Sequence, residues 1–150
     1  MLTIHAADEV RYAWEGGESV KDGAVVVDGA QVAAVGPLAE LTERFPDARV
    51  RRWPGGVLGP ARVYEAPLPV APTPRERMHA VLKSGAVAVL AEYADTPELR
   101  AAAARNDVVV LMRTRPTAII VDGRADLAVF DETGECMATV CAGRLVHRRR

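Results

Sequence analysis

Six of the ten prolines fall between residues 54 and 74: Pro54, Pro60, Pro67, Pro69, Pro72 and Pro74. Proline lacks the backbone N–H that a helix interior or a central strand needs. Residues 54–74 are therefore expected to form an extended, ordered linker that crosses a surface. They separate an opening part, residues 1–53, from a helix-patterned part that begins at residue 75.

The opening part reads as β-structure. In "GAVVVDGAQVAAVG", Asp28-Gly29 stands between two Val-rich runs, which is a hairpin signal. Asp22-Gly23 marks another turn just before it, and Leu2–Ala6 and Glu9–Trp14 are expected to be two short strands. Pro37 suits the first position of a short helix with an apolar stripe of Leu38, Leu41 and Phe45, which Pro46 ends. "ARVRRW", residues 48–53, alternates apolar and basic residues like a half-buried strand. Its three arginines read as a solvated strand face, with an anion site as the alternative.

After the prolines comes a weak internal repeat. "TPRERMHAVLKSGAVAVL" is followed by "TPELRAAAARNDVVVL". In the first copy Thr73 and Glu76 form a capping box, Pro74 takes the first helical position and Gly85 closes the helix. Thr96 and Pro97 repeat the start, and Asn106 is the expected left-handed stop. Ala86–Leu90 and Val108–Met112 then read as buried parallel strands of a βαβ unit. The last third returns to strands near Thr117–Val121, Leu127–Phe130, Met137–Cys141 and Arg144–His147. Within one strand, Cys136 and Cys141 would point to opposite faces and could neither bridge nor share a metal. Arg148-Arg149-Arg150 reads as a frayed, soluble tail.

The 150 residues fit one domain, and a net charge of −1 gives no overall field that would favour nucleic acid or an anionic membrane. No apolar run approaches the roughly 20 residues of a membrane span, and the N-terminus has no signal-peptide pattern, so a cytoplasmic location is the default expectation.

Two segments carry a family likeness. "GAVVVDGAQVAAVGPLAEL" resembles the N-terminal segment of amidohydrolase-superfamily enzymes, and "DGRADLAVFDETGECMATVCAGRLVHR" resembles their C-terminal segment. The nearest likeness is to the composite domain of imidazolonepropionase-like and aminodeoxyfutalosine-deaminase-like proteins. The resemblance implies that residues 18–60 and 116–148 fold together into a small β-sandwich beside a (β/α)₈ barrel. A barrel usually takes more than about 200 residues, and fewer than 60 lie between Pro60 and Pro116.

Laid over the family's metal-binding "PGLVxxHxH" pattern, Gly59–Pro67 puts Glu65 and Pro67 near the two histidine slots. The chain has only three histidines, His5, His79 and His147, each isolated in sequence. Catalytic zinc usually takes three protein ligands. It lowers the pKa of bound water from about 15.7 to about 7, which is on the order of 12 kcal/mol of activation at about 1.4 kcal/mol per unit. The expectation is therefore no catalytic residue, no metal and no cofactor.

The remaining candidate ligand-binding cluster is "AEYADTP", with Glu92, Tyr93 and Asp95 after a strand's carboxyl end; Tyr64 and Glu65 join it as candidates that could reach the same region after the Pro-rich linker, a placement no sequence signal fixes. The bland alternative is a helix cap at Asp95 or Thr96 and a solvated Glu92. Ser19 and Ser84 are the only serines, and neither has a local histidine. "GGVLG" lacks the helix and the Lys-Ser/Thr pair of a phosphate loop.

The sequence thus predicts a mixed α/β (α+β) fold: an antiparallel β-sandwich from both chain ends with a helix-strand-helix-strand insert over residues 75–112. The expected role is a stand-alone, non-catalytic domain that binds a small-molecule or protein partner and forms a homodimer, with no nucleic-acid or membrane partner. Two rivals are a reduced metal-dependent C–N hydrolase with ligands shared between chains, and a structural subunit of a larger hydrolase.

Overall fold

A computed structural model describes residues 1–149 of the chain. In chain order the elements are β1 (Leu2–Arg11), β2 (Ser19–Asp28), β3 (Gln31–Pro37), α1 (Leu38–Arg44), β4 (Arg49–Pro60), β5 (Arg62–Tyr64), α2 (Pro74–Lys83), β6 (Ala86–Leu90), α3 (Pro97–Arg105), β7 (Val109–Leu111), β8 (Leu127–Phe130), β9 (Cys136–Cys141) and β10 (Arg144–Arg148). The architecture is mixed α+β. A seven-stranded sheet has the order β10-β9-β8-β4-β1-β2-β3, and a three-stranded sheet has the order β5-β6-β7.

The large sheet is knitted from both parts of the chain. Its neighbours run antiparallel except β1 and β4, which are parallel. The halves meet where Val57–Pro60 of β4 pairs with Leu127–Phe130 of β8. The two flanks are then tied together by backbone bonds. Val32 N–H donates to Gly123 O (2.9 Å), Asp122 N–H to Val32 O (2.8 Å) and Ala125 N–H to Ala30 O (2.7 Å).

Strand alternation explains the three cores. Val10, Val25, Val27, Leu58, Leu127, Val129 and Val140 fill the space between the sandwich halves. The intervening residues of the first half, Ile4, Ala6, Ala24, Val26 and Ala34, face outward and are covered by Leu41 of α1. On the second half, Ala128, Phe130, Cys136 and Cys141 face outward and pack with Met78, Val81, Leu82, Leu99 and Ala103 of α2 and α3. Thr139, on that same outer side, donates its hydroxyl to Leu82 O at 2.7 Å. No helix among the described residues is long and apolar enough to cross a membrane.

Several expectations need correction. The stretch from Pro54 to Pro60 is not linker: it continues β4 at the centre of the sheet, and Arg62–Tyr64 form β5. The prolines are tolerated because of a bulge. Ala7 pairs with Trp53 but Glu9 pairs with Val57, so Pro54, Gly55 and Gly56 stand opposite Asp8 alone. The Asp8 carboxylate accepts the Gly55 N–H there, at 3.1 Å. Pro60 sits at the strand's last pairing, with Leu127.

The expected turn at Asp22-Gly23 lies inside β2, where Asp22 takes a φ of 48° without a shift in pairing. Leu2–Ala6 and Glu9–Trp14 are not two strands; β1 runs unbroken to Arg11. Pro37 ends β3 and precedes α1 instead of opening it. The left-handed residue after α3 is Asp107, φ 57°, and not Asn106. Thr117–Val121 is no strand: it follows Pro116 and finds only single bonds, such as Ile119 N–H to Tyr12 O at 2.8 Å. Cys136 and Cys141 share one face, because the register between β8 and β9 shifts between Ala138 and Cys136 and turns Cys136 over. Both thiols are free.

Candidate functional site

The carboxyl edge of the small sheet is built by two successive βα connections. β5 and β6 run parallel with α2 between them, and β6 and β7 run parallel with α3 between them. Thr73 and Thr96 start the helices in the same way: each hydroxyl accepts a backbone N–H three residues on, from Glu76 and Leu99, both at 3.1 Å. Gly85, at φ 93°, follows the end of α2 with no room for a side chain: a Cβ would lie 2.6 Å from Phe130.

Pairing of Tyr64 with Val89 and of Leu90 with Leu111 aligns the three strand ends. That alignment brings most of the expected residues to one edge. Glu65 follows β5 and accepts a hydrogen bond from the Thr114 hydroxyl. Tyr64 and Tyr93 are half-buried against the helix-side core, and Glu92 is exposed beside Tyr93. Asp95 is exposed and is not the cap; Thr96 is. Thr114 was not legible as a site residue, because its partner Glu65 lies 49 positions away.

The face of this sheet away from the helices carries Val63 and Ala88, and the segment after β7 passes over it. Between them lies a cleft of about 340 Å³, with Arg62, Arg115, Pro116 and Ile120 among its walls. Arg62 is held in place, its guanidinium 4.5 Å from the Phe130 ring centroid and 5.1 Å from that of Trp14. Arg124 is engaged by Asp126 at 2.8 Å. The arrangement offers carboxylates and phenols at the edge and guanidiniums around the cleft, which suits binding and orienting a ligand. Arg115 and Ile120 were hidden from sequence reading by the strand expected at 117–121.

The histidines lie elsewhere. His5 is buried inside the sandwich, where Nδ1 accepts the Trp53 indole N–H at 3.4 Å. Burial, and secondarily the Arg51 charge, pushes its pKa down to about 4. His147 faces α2, with Nε2 3.4 Å from Cys136 O. Its pKa is lowered chiefly by burial, against that hydrogen bond and with the help of the Lys83 and His79 charges. Burial raises both thiols, Cys141 to about 11, so neither is a ready nucleophile.

A family-type metal ion does not fit the carboxyl edge. Glu65 is bonded to Thr114, Pro67 has no donor atom, and the imidazoles sit on β1, α2 and β10. Among the described residues, no three His, Cys, Asp or Glu side chains gather to hold a metal.

Known proteins bear on the fold. A family model described as "imidazolonepropionase-like composite domain, bacteria" matches residues 23–48. No curated protein sequence matches the chain. Among solved structures, an adenosine deaminase from Xanthomonas campestris with bound zinc is 20% identical, with a TM-score of 0.58 over 80% of this chain and 36% of that one. Guanine deaminases are similar too. The one from E. coli is 14% identical, with a TM-score of 0.55 over 73% and 35% of the two chains. The one from Bradyrhizobium japonicum is 13% identical, with a TM-score of 0.54 over 73% and 34%. The chain thus spans about a third of the length of these relatives. The family model covers the β2–β3 hairpin and α1, and over most of its length the chain shares its fold with part of each of these deaminases, consistent with a composite domain of the imidazolonepropionase-like type.

Proposed function

We propose that the chain acts as a non-catalytic binding domain whose working surface is the carboxyl edge of the β5-β6-β7 sheet and the segment that passes over its helix-free face, and that its first partner is a second copy of itself. One observation carries this reading. The segment after β7 leaves large apolar side chains in solvent beside that face: Met112 is 88% exposed, Ile120 64% and Val121 50%. Exposed apolar surface of this kind marks an interaction site, and symmetric self-association is the commonest way to cover it. The neighbouring cleft bounded by Arg62 and Arg115 supplies room for a small ligand at the same place.

Sedimentation analysis of the purified chain from micromolar to millimolar concentration tests the reading. A dimer is expected, and the double variant M112E/I120E, which places charge in the covered patch, is expected to be monomeric. A wild-type chain that stays monomeric over the whole range overturns the self-association. Elemental analysis of the same sample checks the non-catalytic part: a stoichiometric transition metal that is lost on replacing Glu65 contradicts it.

A further inference from the structure

The first half of β4 is an open sheet edge. β1 pairs with β4 along one side from Arg49 onward, but β8 reaches the other side only from Val57 to Pro60. Among the described residues, no backbone or side-chain hydrogen bond covers the outer side of Arg49–Arg52. Arg49, Val50 and Arg52 are exposed and Arg51 is half-buried. Such an edge is a ready template for an added strand.

The edge also carries uncompensated charge. Arg49, Arg51 and Trp53 alternate onto one face, alongside Thr3, His5 and Ala7 of β1. Arg148 of β10 reaches the same face, its guanidinium 5.6 Å from the Trp53 ring centroid. The ion pairs among the described residues engage Arg11, Arg124, Arg144 and Arg149, and none of Arg49, Arg51 or Arg148. Burial first, then the Arg49 and Arg148 charges, lowers the Arg51 pKa. Among the described residues, three cations therefore converge without an ion-paired carboxylate, in a chain whose net charge is only −1.

We propose that this edge docks an extended acidic peptide as an additional strand, with carboxylates at alternate positions meeting Arg49, Arg51 and Arg148. Strand periodicity sets the requirement: side chains of an added strand return to one face every second residue, the same spacing as Arg49 and Arg51. A small free anion would satisfy the guanidiniums but leave the backbone edge unpaired. A basic or apolar strand would leave the charges unmatched. The proposal is independent of the surface beside β7.

The test uses a labelled peptide of alternating glutamate and valine, titrated into the whole chain at low salt, and a peptide of the same composition with its glutamates in one block. The alternating peptide is expected to bind about tenfold more tightly than the blocked one, and to weaken by about tenfold in R49Q/R51Q and in R148Q. R11Q, a surface arginine on the far part of β1, is the unaffected control. Hydrogen exchange is expected to slow at amides between Arg49 and Trp53 when the alternating peptide is bound. Equal affinity for the two peptides overturns the proposal, as does binding without amide protection. So does tighter binding of inorganic phosphate or of an oligothymidylate at the same site.

Discussion

The indole N–H of Trp53 donates to Nδ1 of His5, 3.4 Å away, inside the closed sandwich. That bond requires an unprotonated Nδ1, and burial enforces the neutral ring by drawing the pKa from 6.5 down to about 4. The folded-state value lies below the unfolded one, so the unfolded chain binds the proton more readily between them. Stability from this group is full above about pH 6.5 and is lost progressively as pH falls toward 4, on the order of 3 kcal/mol in total. Denaturant melts at pH 7.5, 6, 5 and 4 should show that decline. H5Q, which keeps an acceptor near the indole but cannot titrate there, should flatten it.

Trp14 lies directly on the backbone of β4. Its Nε1 donates to Pro60 O at 2.6 Å, and a Cβ on Gly59 would sit 2.5 Å from its ring. The neighbour in the way is a rigid indole, held edge-on to Phe130 at 5.3 Å between ring centroids. G59A should cost about 1–3 kcal/mol through forced displacement of that ring. A shift in tryptophan fluorescence, absent in G36A, where a Cβ meets nothing nearer than Leu41 at 4.0 Å, would show that the ring has moved.

The two helix starts offer a matched pair. Thr73 and Thr96 each accept one N–H at 3.1 Å. T73A and T96A should each cost about 1 kcal/mol in urea melts. Because each cap belongs to a different helix, the double variant should lose close to the sum.

Thr139 is fully buried, and its hydroxyl joins the outer face of β9 to the last turn of α2 through Leu82 O. Replacing it with valine keeps the shape and removes the donor. T139V should destabilise the chain by about 1–2 kcal/mol. Hydrogen exchange should quicken selectively at the end of α2 if the bond is what anchors that helix to the sandwich.

How much of this could be read from residues alone depended on whether the deciding interaction was local. The strand at Leu127–Phe130 and both Thr-Pro helix starts were legible, since apolar runs and caps act within a few positions. The path of β4 through Pro54 was not, because the proline is admitted only by a bulge opposite Asp8, nearly fifty positions upstream. Gly56 belongs to the same account: a Cβ there would lie 2.5 Å from Val129, so the residue permits a close crossing invisible in its neighbours. The faces of Cys136 and Cys141 followed simple alternation until a register shift in β9 undid it. At the candidate site, the position of Glu92 and Tyr93 after β6 was legible from the βα pattern, whereas Tyr64 and Glu65 depended on the unexpected strand β5, and Arg115 and Thr114 on where the chain travels after β7.

The middle of the chain leaves and rejoins the sandwich side by side: Ala61 N–H donates to Asp126 O at 3.0 Å. The excursion between those two residues starts and finishes together, yet it folds back on the scaffold that launches it, since α2 and α3 pack on Phe130, Cys136 and Cys141 and Leu82 O accepts the Thr139 hydroxyl. The excursion is therefore also a lid on the sandwich's outer side: excising it would lay Phe130, Cys136 and Cys141 bare to water.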